Sequence, residues 1–457
     1  MTHDEGLNIS QGGVYSTSET AQHMMNVKLS SGGRVQQPAL NNLLERVLSP
    51  ENLHAAWKQV RSNKGAPGVD GMTIEDYPQW ARQHWANTRR ALEYGYYIPQ
   101  PVRRIEIPKP NGGSRCLGIP TVNDRVVQQA IAQVISPLID PTFSDASFGF
   151  RPRRNAHGAV KQIQRFIVTG YKVAVDIDLS KFFDRVDHDL LMVRLARHIS
   201  DKRLLQLIGR YLRAGVMVDG VLHPTSEGVP QGGPLSPLLA NMMLDDLDKH
   251  LESRQMRFAR YADDFVICVK STSSGHRVME WVERFLTTKL KLLVNEDKSR
   301  VVKTNDLHFL GFTFRGKKVR WGDKALEDFK FKIRRLTKRS WGISMPRRFR
   351  ELRLYIQGWM NYFVLSEYYR PLPRLDEWLR RRIRMCYLKQ WRKPRTRIRN
   401  LIKLGTGTRI AISLGLSSKG PYRLARTLAT QSGMTNKWLQ EQGLVSIRDL
   451  WIKFHYA

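Results

Sequence analysis

The stretch that decides the fold is YADDFVICV, residues 261–269. Its second half is a run of β-branched and apolar residues, which predicts a buried strand. Two adjacent aspartates in front of a strand are common in a simple hairpin turn, where their side chains bond the backbone. On these residues alone, a structural turn and a functional carboxylate pair are both open.

A further carboxylate closes a second apolar run, VAVDIDL at residues 173–179. This run also predicts a buried strand, and an unpaired carboxylate there would be costly. Carboxylates that converge at strand ends raise each other's pKa unless a divalent cation neutralises them. Mg²⁺ prefers such hard oxygen ligands, and a pair of these ions serves in-line attack on phosphate. Asp178, Asp263 and Asp264 therefore predict a nucleotidyl-transfer site.

The composition favours a nucleic-acid partner. The chain has 457 residues, with 75 Lys and Arg against 41 Asp and Glu, a formal net charge of +34 at pH 7. So large an excess excludes an ordinary neutral metabolic enzyme as the default and indicates a polyanionic partner. Hydrophobic residues make up 41% of the chain, which excludes a disordered polycation.

Cysteine usage and hydropathy predict a soluble protein of a reducing cytosol. Cys116, Cys268 and Cys386 are too far apart for a zinc knuckle or a disulfide framework. No apolar stretch approaches the roughly 18 residues that span a bilayer. The first residues, MTHDEGLNIS, lack the basic and then apolar order of a signal peptide.

The character of the sequence changes along the chain. Residues 1–34 are polar and rich in Ser, Gln and Gly, which predicts a disordered leader. Residues 99–320 alternate short β-branched runs with helical patterns, as in α/β or α+β proteins. Residues 321–400 hold 23 Lys and Arg against 7 Asp and Glu, and five of the eleven Trp. Amphipathic helices with an arginine-rich outer face are expected there.

The last segment, 401–457, begins with a stretch rich in Gly, Ser and Thr. This stretch, 405–420, predicts a linker into a small helical piece.

Seven blocks of the sequence resemble, in order, those of group II intron reverse transcriptases, also called maturases. They are IPKPNGGSR (107–115), SFGFRP (147–152), DLSKFFD (178–184), GVPQGGPLSP (228–237), YADD (261–264), NEDKS (295–299) and HFLGF (308–312). The match runs from about residue 43 to 400. It implies an α+β right-hand polymerase with fingers, palm and thumb and an antiparallel palm sheet, which copies RNA into DNA.

The resemblance also implies a division of the chain. Residues 35–98 correspond to an N-terminal extension of the fingers and 99–320 to the fingers and palm. Residues 321–400 correspond to the α-helical thumb, or maturase X domain. Residues 401–457 are expected to form the linker and a short helical tail of the DNA-binding kind.

The family's catalytic positions match three aspartates here. Asp178, Asp263 and Asp264 resemble the triad that holds two Mg²⁺ ions, for which Mn²⁺ can substitute. Asp178 and Asp263 correspond to the direct ligands of both ions. Asp176 lies on the same face of its strand as Asp178, because side chains alternate with a period of two. It is expected to be structural, with hydrogen bonds to nearby backbone.

Six residues match the family's dNTP-binding positions: Lys109, Arg115, Phe183, Gln231, Gly232 and Lys298. The first two resemble the cations that hold the triphosphate, and a solvated loop is their structural alternative. Phe183 resembles the bulky side chain that excludes a ribose 2′-OH, with core packing as its alternative. Gln231 and Gly232 are expected to meet the incoming base pair.

Two further expectations concern this machinery. Lys298 is expected to steady the leaving pyrophosphate. The block 228–237 also predicts a plain helix start, with Ser236 as N-cap and Pro237 in the first turn.

The implied partners are intron RNA, an RNA template with its DNA primer, dNTPs and target DNA. A Cys-rich HNH endonuclease domain is not expected, since the chain has no Cys-x₂-Cys pair. The implied location is the bacterial cytoplasm, near the nucleoid. Two alternatives stay open: a non-catalytic RNA-splicing cofactor, and a domesticated reverse transcriptase in DNA repair, phage defence or a CRISPR system.

Overall fold

The computed structural model describes residues 42–108 and 114–456. The predictions for the leader 1–34 and for Lys109 lie outside these residues, and so does the side chain of Arg115. Helices and strands mix along the described chain, as in the α+β class that the sequence predicts. In this part of the chain, no helix is both long enough and apolar enough to cross a membrane.

The part of the chain up to residue 303 mixes helices with strands. Its helices are α1 (Leu43–Val47), α2 (Pro50–Ser62), α3 (Tyr77–Glu93), α4 (Val122–Ile139), α5 (Ala156–Val168), α6 (His188–Ala196), α7 (Lys202–Leu212), α8 (Ser236–Ser253) and α9 (Thr272–Phe285), which a π-helical turn, Leu286–Leu290, extends. Its strands are β1 (Val102–Pro108), β2 (Ser114–Ile119), β3 (Val173–Ile177), β4 (Val216–Val218), β5 (Val221–His223), β6 (Arg257–Tyr261), β7 (Asp264–Val269) and β8 (Arg300–Lys303).

The remaining part is mostly helical. It begins with the strands β9 (His308–Phe309), β10 (Phe312–Arg315) and β11 (Lys318–Trp321). The helices that follow are α10 (Asp323–Leu336), α11 (Met345–Tyr362), α12 (Leu372–Gln390), α13 (Pro394–Lys403), α14 (Thr408–Leu416), α15 (Pro421–Leu424), α16 (Leu428–Gly433), α17 (Asn436–Glu441) and α18 (Ile447–Tyr456).

The central sheet has the strand order β6-β7-β3-β8, and all its neighbours are antiparallel. Both runs that the sequence marks as buried strands therefore lie side by side, as β3 and β7. A second sheet has the order β2-β1-β4-β5, and a third joins β11, β10 and β9.

Two hydrophobic cores cover the two faces of the central sheet. Val175, Ile177 and Ile267 belong to the first core, which also takes in α4 and α8. Ala174 and Val266 belong to the second core, with α5 and the C-terminal helices. Alternate residues of one strand therefore enter different cores, which is why these strands are apolar runs without a polar face.

The arginine run in α12 corrects one expectation, because much of it is structural rather than a free basic face. Arg384 is buried and donates to the carbonyl oxygen of Met434 at 2.9 Å. Burial lowers the pKa of Arg384 to about 10, so it stays charged near neutral pH. Arg381 lies 3.8 Å above the ring of Tyr422. A guanidinium carries five N–H donors, which suits it to bind the carbonyls at the ends of packed helices.

The stretch 405–420 is not the linker that its composition predicts. Thr408–Leu416 forms α14, and Ala411 and Leu414 are buried in the second core. A Cβ atom on Gly415 would lie 2.2 Å from Ile398 Cγ1, so this glycine permits close packing of α14 on α13. Composition misleads here because a glycine needed for helix contact looks the same as one needed for flexibility.

Candidate active site

Three aspartates meet at one end of the central sheet. Ile177, the last residue of β3, pairs with Phe265 of β7, so the next residue, Asp178, stands across from Asp264. Asp263 lies in the two-residue turn between β6 and β7. The antiparallel register thus brings together three carboxylates that are up to 86 positions apart in the sequence.

Burial and the proximity of the other carboxylates raise the pKa of Asp264. Its pKa rises to about 6, first because the surrounding protein desolvates it and then because of the charges on Asp263, Asp178 and Asp176. Lys298 opposes this shift. The side chain still reaches solvent, so the neighbouring carboxylates are an essential part of the cause.

Asp178 is held by the segment that follows the π-helical turn. Lys298 Nζ lies 2.9 Å from Asp178 Oδ2, and Asn295 Nδ2 donates to the same oxygen at 3.1 Å. The backbone N–H of Asp178 donates to Ser299 Oγ at 3.1 Å. The hydrogen bond to Asp178 raises the pKa of Lys298. Three residues of the NEDKS block, Asn295, Lys298 and Ser299, therefore fix the position of Asp178. The sequence of the block alone does not predict this role.

Asp176 has a side-chain partner rather than the backbone partner that the sequence suggests. Arg300 Nε lies 3.4 Å from Asp176 Oδ2, and the two residues are paired across β3 and β8. Burial raises the pKa of Asp176, and Arg300 opposes the rise.

The three aspartates fit a divalent cation whose remaining ligands come from substrate and water. Among the described side chains, no three His, Cys, Asp or Glu residues form a ready-made metal centre. The carboxylates instead repel one another, and the ammonium of Lys298 supplies the positive charge beside Asp178. Mg²⁺ uses one or two protein carboxylates and takes its other ligands from water and phosphates. The residues present are of the right chemistry for such a site.

A buried polar network holds the β6–β7 hairpin that carries Asp263 and Asp264. Arg260 and Asp248 are both fully buried, and Arg260 Nε donates to Asp248 Oδ1 at 2.8 Å. Arg260 Nη1 donates to Asn241 Oδ1 and to the carbonyl oxygen of Ala262, each at 2.9 Å. The guanidinium therefore joins helix α8 directly to the turn.

The loop before α5 packs against this turn. Asn241 Nδ2 donates to the carbonyl oxygen of Gly149 at 2.9 Å. A Cβ atom on Gly149 would lie 2.3 Å from the backbone nitrogen of Ala262. Ala262 has a φ of 59° at the first turn position, where a type II′ turn usually has glycine. Close packing by Gly149 thus helps to impose a strained backbone on the turn.

A cavity of about 670 Å³ opens between strands β1 and β2, the segment 181–185 that follows Asp178, and the loop that carries Gln231. Phe183 and Gln231 line it, whereas Phe182 is buried and packs edge-on against Phe183 at 5.1 Å between ring centroids. Three cations that sequence reasoning did not single out also line the cavity: Arg104, Lys181 and Arg185. Of Arg115, the structure describes the backbone, which pairs with Ile107 between β1 and β2.

The loop that carries Gln231 is tied to both walls of this cavity. The N–H of Val229 donates to the carbonyl of Phe183 at 2.6 Å, and the N–H of Gly118 donates to the carbonyl of Gln231 at 2.8 Å. Gly232 has a φ of 130°, and a Cβ there would lie 2.7 Å from the Gly118 oxygen. Ser236 is the first residue of α8 rather than its N-cap. Its hydroxyl donates to the carbonyl of Pro230, which fixes the loop instead.

An antiparallel sheet with three aspartates at its hairpin end, together with a cavity lined by an aromatic ring and cations, defines a polymerase-type nucleotidyltransferase. The family described as reverse transcriptase (RNA-dependent DNA polymerase) matches residues 107–314. The maturase-specific domain of group II introns matches residues 326–405. The chain belongs to the group II intron-encoded reverse transcriptases and maturases.

Two curated relatives, YkfC and LtrA, agree with this assignment. Protein YkfC of Escherichia coli K12 is 34% identical over 62% of this chain and 85% of its own length. The group II intron-encoded protein LtrA of Lactococcus lactis subsp. cremoris is also 34% identical, over 57% of this chain and 42% of LtrA. The chain thus spans less than half of LtrA. A chain of a partial Cas6-RT-Cas1–Cas2 complex is 25% identical over 54% of this chain and 43% of that chain, with a TM-score of 0.36.

The close contact at Gly149 gives a direct test of hairpin placement. A Gly149→Ala substitution puts a methyl group against the Ala262 backbone and should displace Asp263. We expect DNA synthesis to fall on the order of 100-fold, because a shift of about 1 Å in catalytic groups has that cost. Primer extension on poly(rA)/oligo(dT) measures it.

Gly358→Ala is the matched control, since no atom lies within 4 Å of a Cβ there and alanine favours the helix. It should leave activity unchanged. Equal activity of the Gly149 and Gly358 variants would contradict the placement described here.

Proposed function

We propose that this protein synthesises DNA on an RNA template by two-metal nucleotidyl transfer at Asp178, Asp263 and Asp264, and that it binds its intron RNA to assist splicing and retromobility. The observation that carries the proposal is the β3–β7 register, which sets Asp178 across from the Asp263–Asp264 turn. The complete set of three aspartates argues against a non-catalytic splicing cofactor.

The parts of a right-hand polymerase can be assigned to this fold. The central sheet with α5 and α8 would be the palm, and β1, β2 and the N-terminal helices the fingers. Helices α10 to α12 would be the thumb. Support comes from the cavity at the junction of β1, β2 and the Gln231 loop, which is where an incoming nucleotide would sit between fingers and palm.

Asp178 and Asp263 would hold the ions, with Asp264 beside them. When bound, Mg²⁺ or Mn²⁺ lowers the pKa of the primer 3′-OH and neutralises charge on the leaving pyrophosphate. The protein's own part is to hold the carboxylates in register and to exclude a wrong sugar. Lys298 Nζ lies 2.9 Å from Asp178 Oδ2, and it would donate to the pyrophosphate once that carboxylate holds the ions.

The cavity supplies the contacts for the nucleotide. Phe183 lines it five residues after Asp178, so its ring can occupy the space of a ribose 2′-OH. Arg104, Lys181 and Arg185 offer positive charge to the triphosphate, together with Lys109 and Arg115 as the family pattern suggests. Gln231 and Gly232 would meet the base pair.

Intron RNA is assigned to the exposed cations of the proposed thumb. Five of them are exposed and form no ion pair among the described residues: Lys332, Arg335, Arg339, Arg347 and Arg350. They lie within the match to the maturase-specific domain. Such side chains bind the phosphate backbone and give affinity that falls with salt.

The metal-site assignment predicts that Asp263→Asn abolishes DNA synthesis. The amide keeps the shape of the carboxylate and removes the charge that holds the ions, so activity should fall by on the order of 1,000-fold or more. Incorporation of dTTP on poly(rA)/oligo(dT) with Mg²⁺ measures it. Asp297→Asn, an exposed carboxylate in the segment that holds Asp178, is the control and should be fully active. Comparable activity in the two variants would contradict the assignment of Asp263 to the metal site.

The sugar-gate assignment predicts a change in selectivity at Phe183. Phe183→Val opens the cavity, and incorporation of rNTPs relative to dNTPs should rise by about tenfold or more. Phe182→Val is the control, because that ring is buried in the core. It should lower the unfolding temperature and leave sugar selectivity unchanged. If Phe183→Val also lowers only stability, Phe183 is a packing residue.

A further inference from the structure

The central sheet has opposite charges at its two ends. One end holds the aspartates. At the other end each strand carries a cation: Arg257 begins β6, Lys303 ends β8, and Lys172 and Lys270 directly adjoin β3 and β7. We call these four residues, with Arg165 at the end of α5, the distal edge. Lys172 and Asp178 are six residues apart along β3, which separates the two ends by about 20 Å.

An open pocket lies within the distal edge. Its volume is about 390 Å³, and it is lined by Arg165, Phe166, Thr169, Tyr171, Arg257 and Lys270. The rings of Phe166 and Tyr171 are 6.3 Å apart and tilted, and Lys270 Nζ lies 5.9 Å from the Tyr171 ring centroid. Two aromatic rings and three cations therefore share one concave surface.

The charges of the distal edge are not neutralised within the described protein. None of its five cations forms an ion pair there. Other surface arginines do have carboxylate partners, such as Arg89 with Glu93 and Arg448 with Asp449. Five unneutralised cations at one edge produce a local positive potential that attracts a polyanion.

We propose that the distal edge is a second RNA-binding site, in which an unpaired nucleotide stacks in the Tyr171 pocket and the neighbouring phosphates contact Arg165, Arg257 and Lys270. Aromatic rings bind bases that are not already stacked in a duplex, and arginine and lysine bind the backbone on either side. This proposal rests on one part of the proposed function, namely that the protein binds a structured RNA in addition to its template.

The distal edge is separate from the polymerase site. Both faces of the central sheet are buried under the two cores, so a duplex seated at the aspartates cannot run along the sheet to this pocket. The protein can then hold a looped RNA at one end of the palm while copying a template at the other.

The test compares two triple variants with equal loss of charge. One is Arg165→Gln, Arg257→Gln and Lys270→Gln together. The control removes three arginines that have carboxylate partners, Arg89→Gln, Arg203→Gln and Arg448→Gln. The probe is an RNA stem-loop with a large unpaired loop, titrated at several salt concentrations in the presence of a saturating, fully paired RNA–DNA hybrid, which offers no unpaired nucleotide to the Tyr171 pocket. Thermal unfolding checks that both variants are folded.

The distal-edge variant should bind the stem-loop at least about tenfold more weakly, with a salt slope reduced by about 2, since each lost phosphate contact contributes about 0.7. The control variant should bind as the unaltered protein does. Tyr171→Leu should weaken binding of the stem-loop on the order of tenfold and leave binding of a fully paired RNA duplex unchanged.

Equal binding by the two triple variants, or complete displacement of the stem-loop by the fully paired RNA–DNA hybrid, would overturn the proposal. Unchanged binding of the stem-loop by Tyr171→Leu would overturn the nucleotide pocket. Primer extension by the distal-edge variant should be unchanged. Because stem-loop binding is also measured with the Asp263→Asn protein, a failure of the polymerase assignment remains distinguishable from a failure of this site.

Discussion

The buried ion pair between Arg260 and Asp248 is the interaction on which the candidate site depends. Both side chains are withdrawn from water, which is costly unless geometry and additional hydrogen bonds compensate. Here the guanidinium also binds Asn241 and the carbonyl of Ala262, so its donors are used on the helix and on the turn. Removing either partner would leave an uncompensated charge beneath the aspartates.

The site combines strain and repulsion that the surrounding structure must balance. The turn has Ala262 in a left-handed conformation, and Gly149 packs against it so closely that no side chain fits. The aspartates repel one another, and Lys298 and Arg300 provide the opposing charge. Further positive charge would stabilise a site arranged in this way, and a divalent cation would supply that charge.

Sequence reasoning predicted the two central strands and the aspartates at their ends, because an apolar run is a local signal. It did not predict Arg260 as a buried anchor, since an arginine beside an apolar run looks like a surface residue until its partner on α8 is known. For the same reason the sequence predicts an arginine-rich outer face for the helices of residues 321–400, whereas Arg384 is buried. The helix at Thr408–Leu416 was missed because Gly415 serves a contact between helices, and such contacts are not visible in composition.

The central claim is that Asp178 and the Asp263–Asp264 turn form one divalent-cation site. Mn²⁺ binding, followed by electron paramagnetic resonance in the presence of a dideoxy-terminated primer on poly(rA) and dTTP, tests it most directly. Primer–template and nucleotide bind some Mn²⁺ without protein, and this background is subtracted. The account predicts that the unaltered protein then binds about two Mn²⁺ ions per chain and that the Asp178→Asn protein binds none. Equal Mn²⁺ binding by the two proteins would contradict the claim.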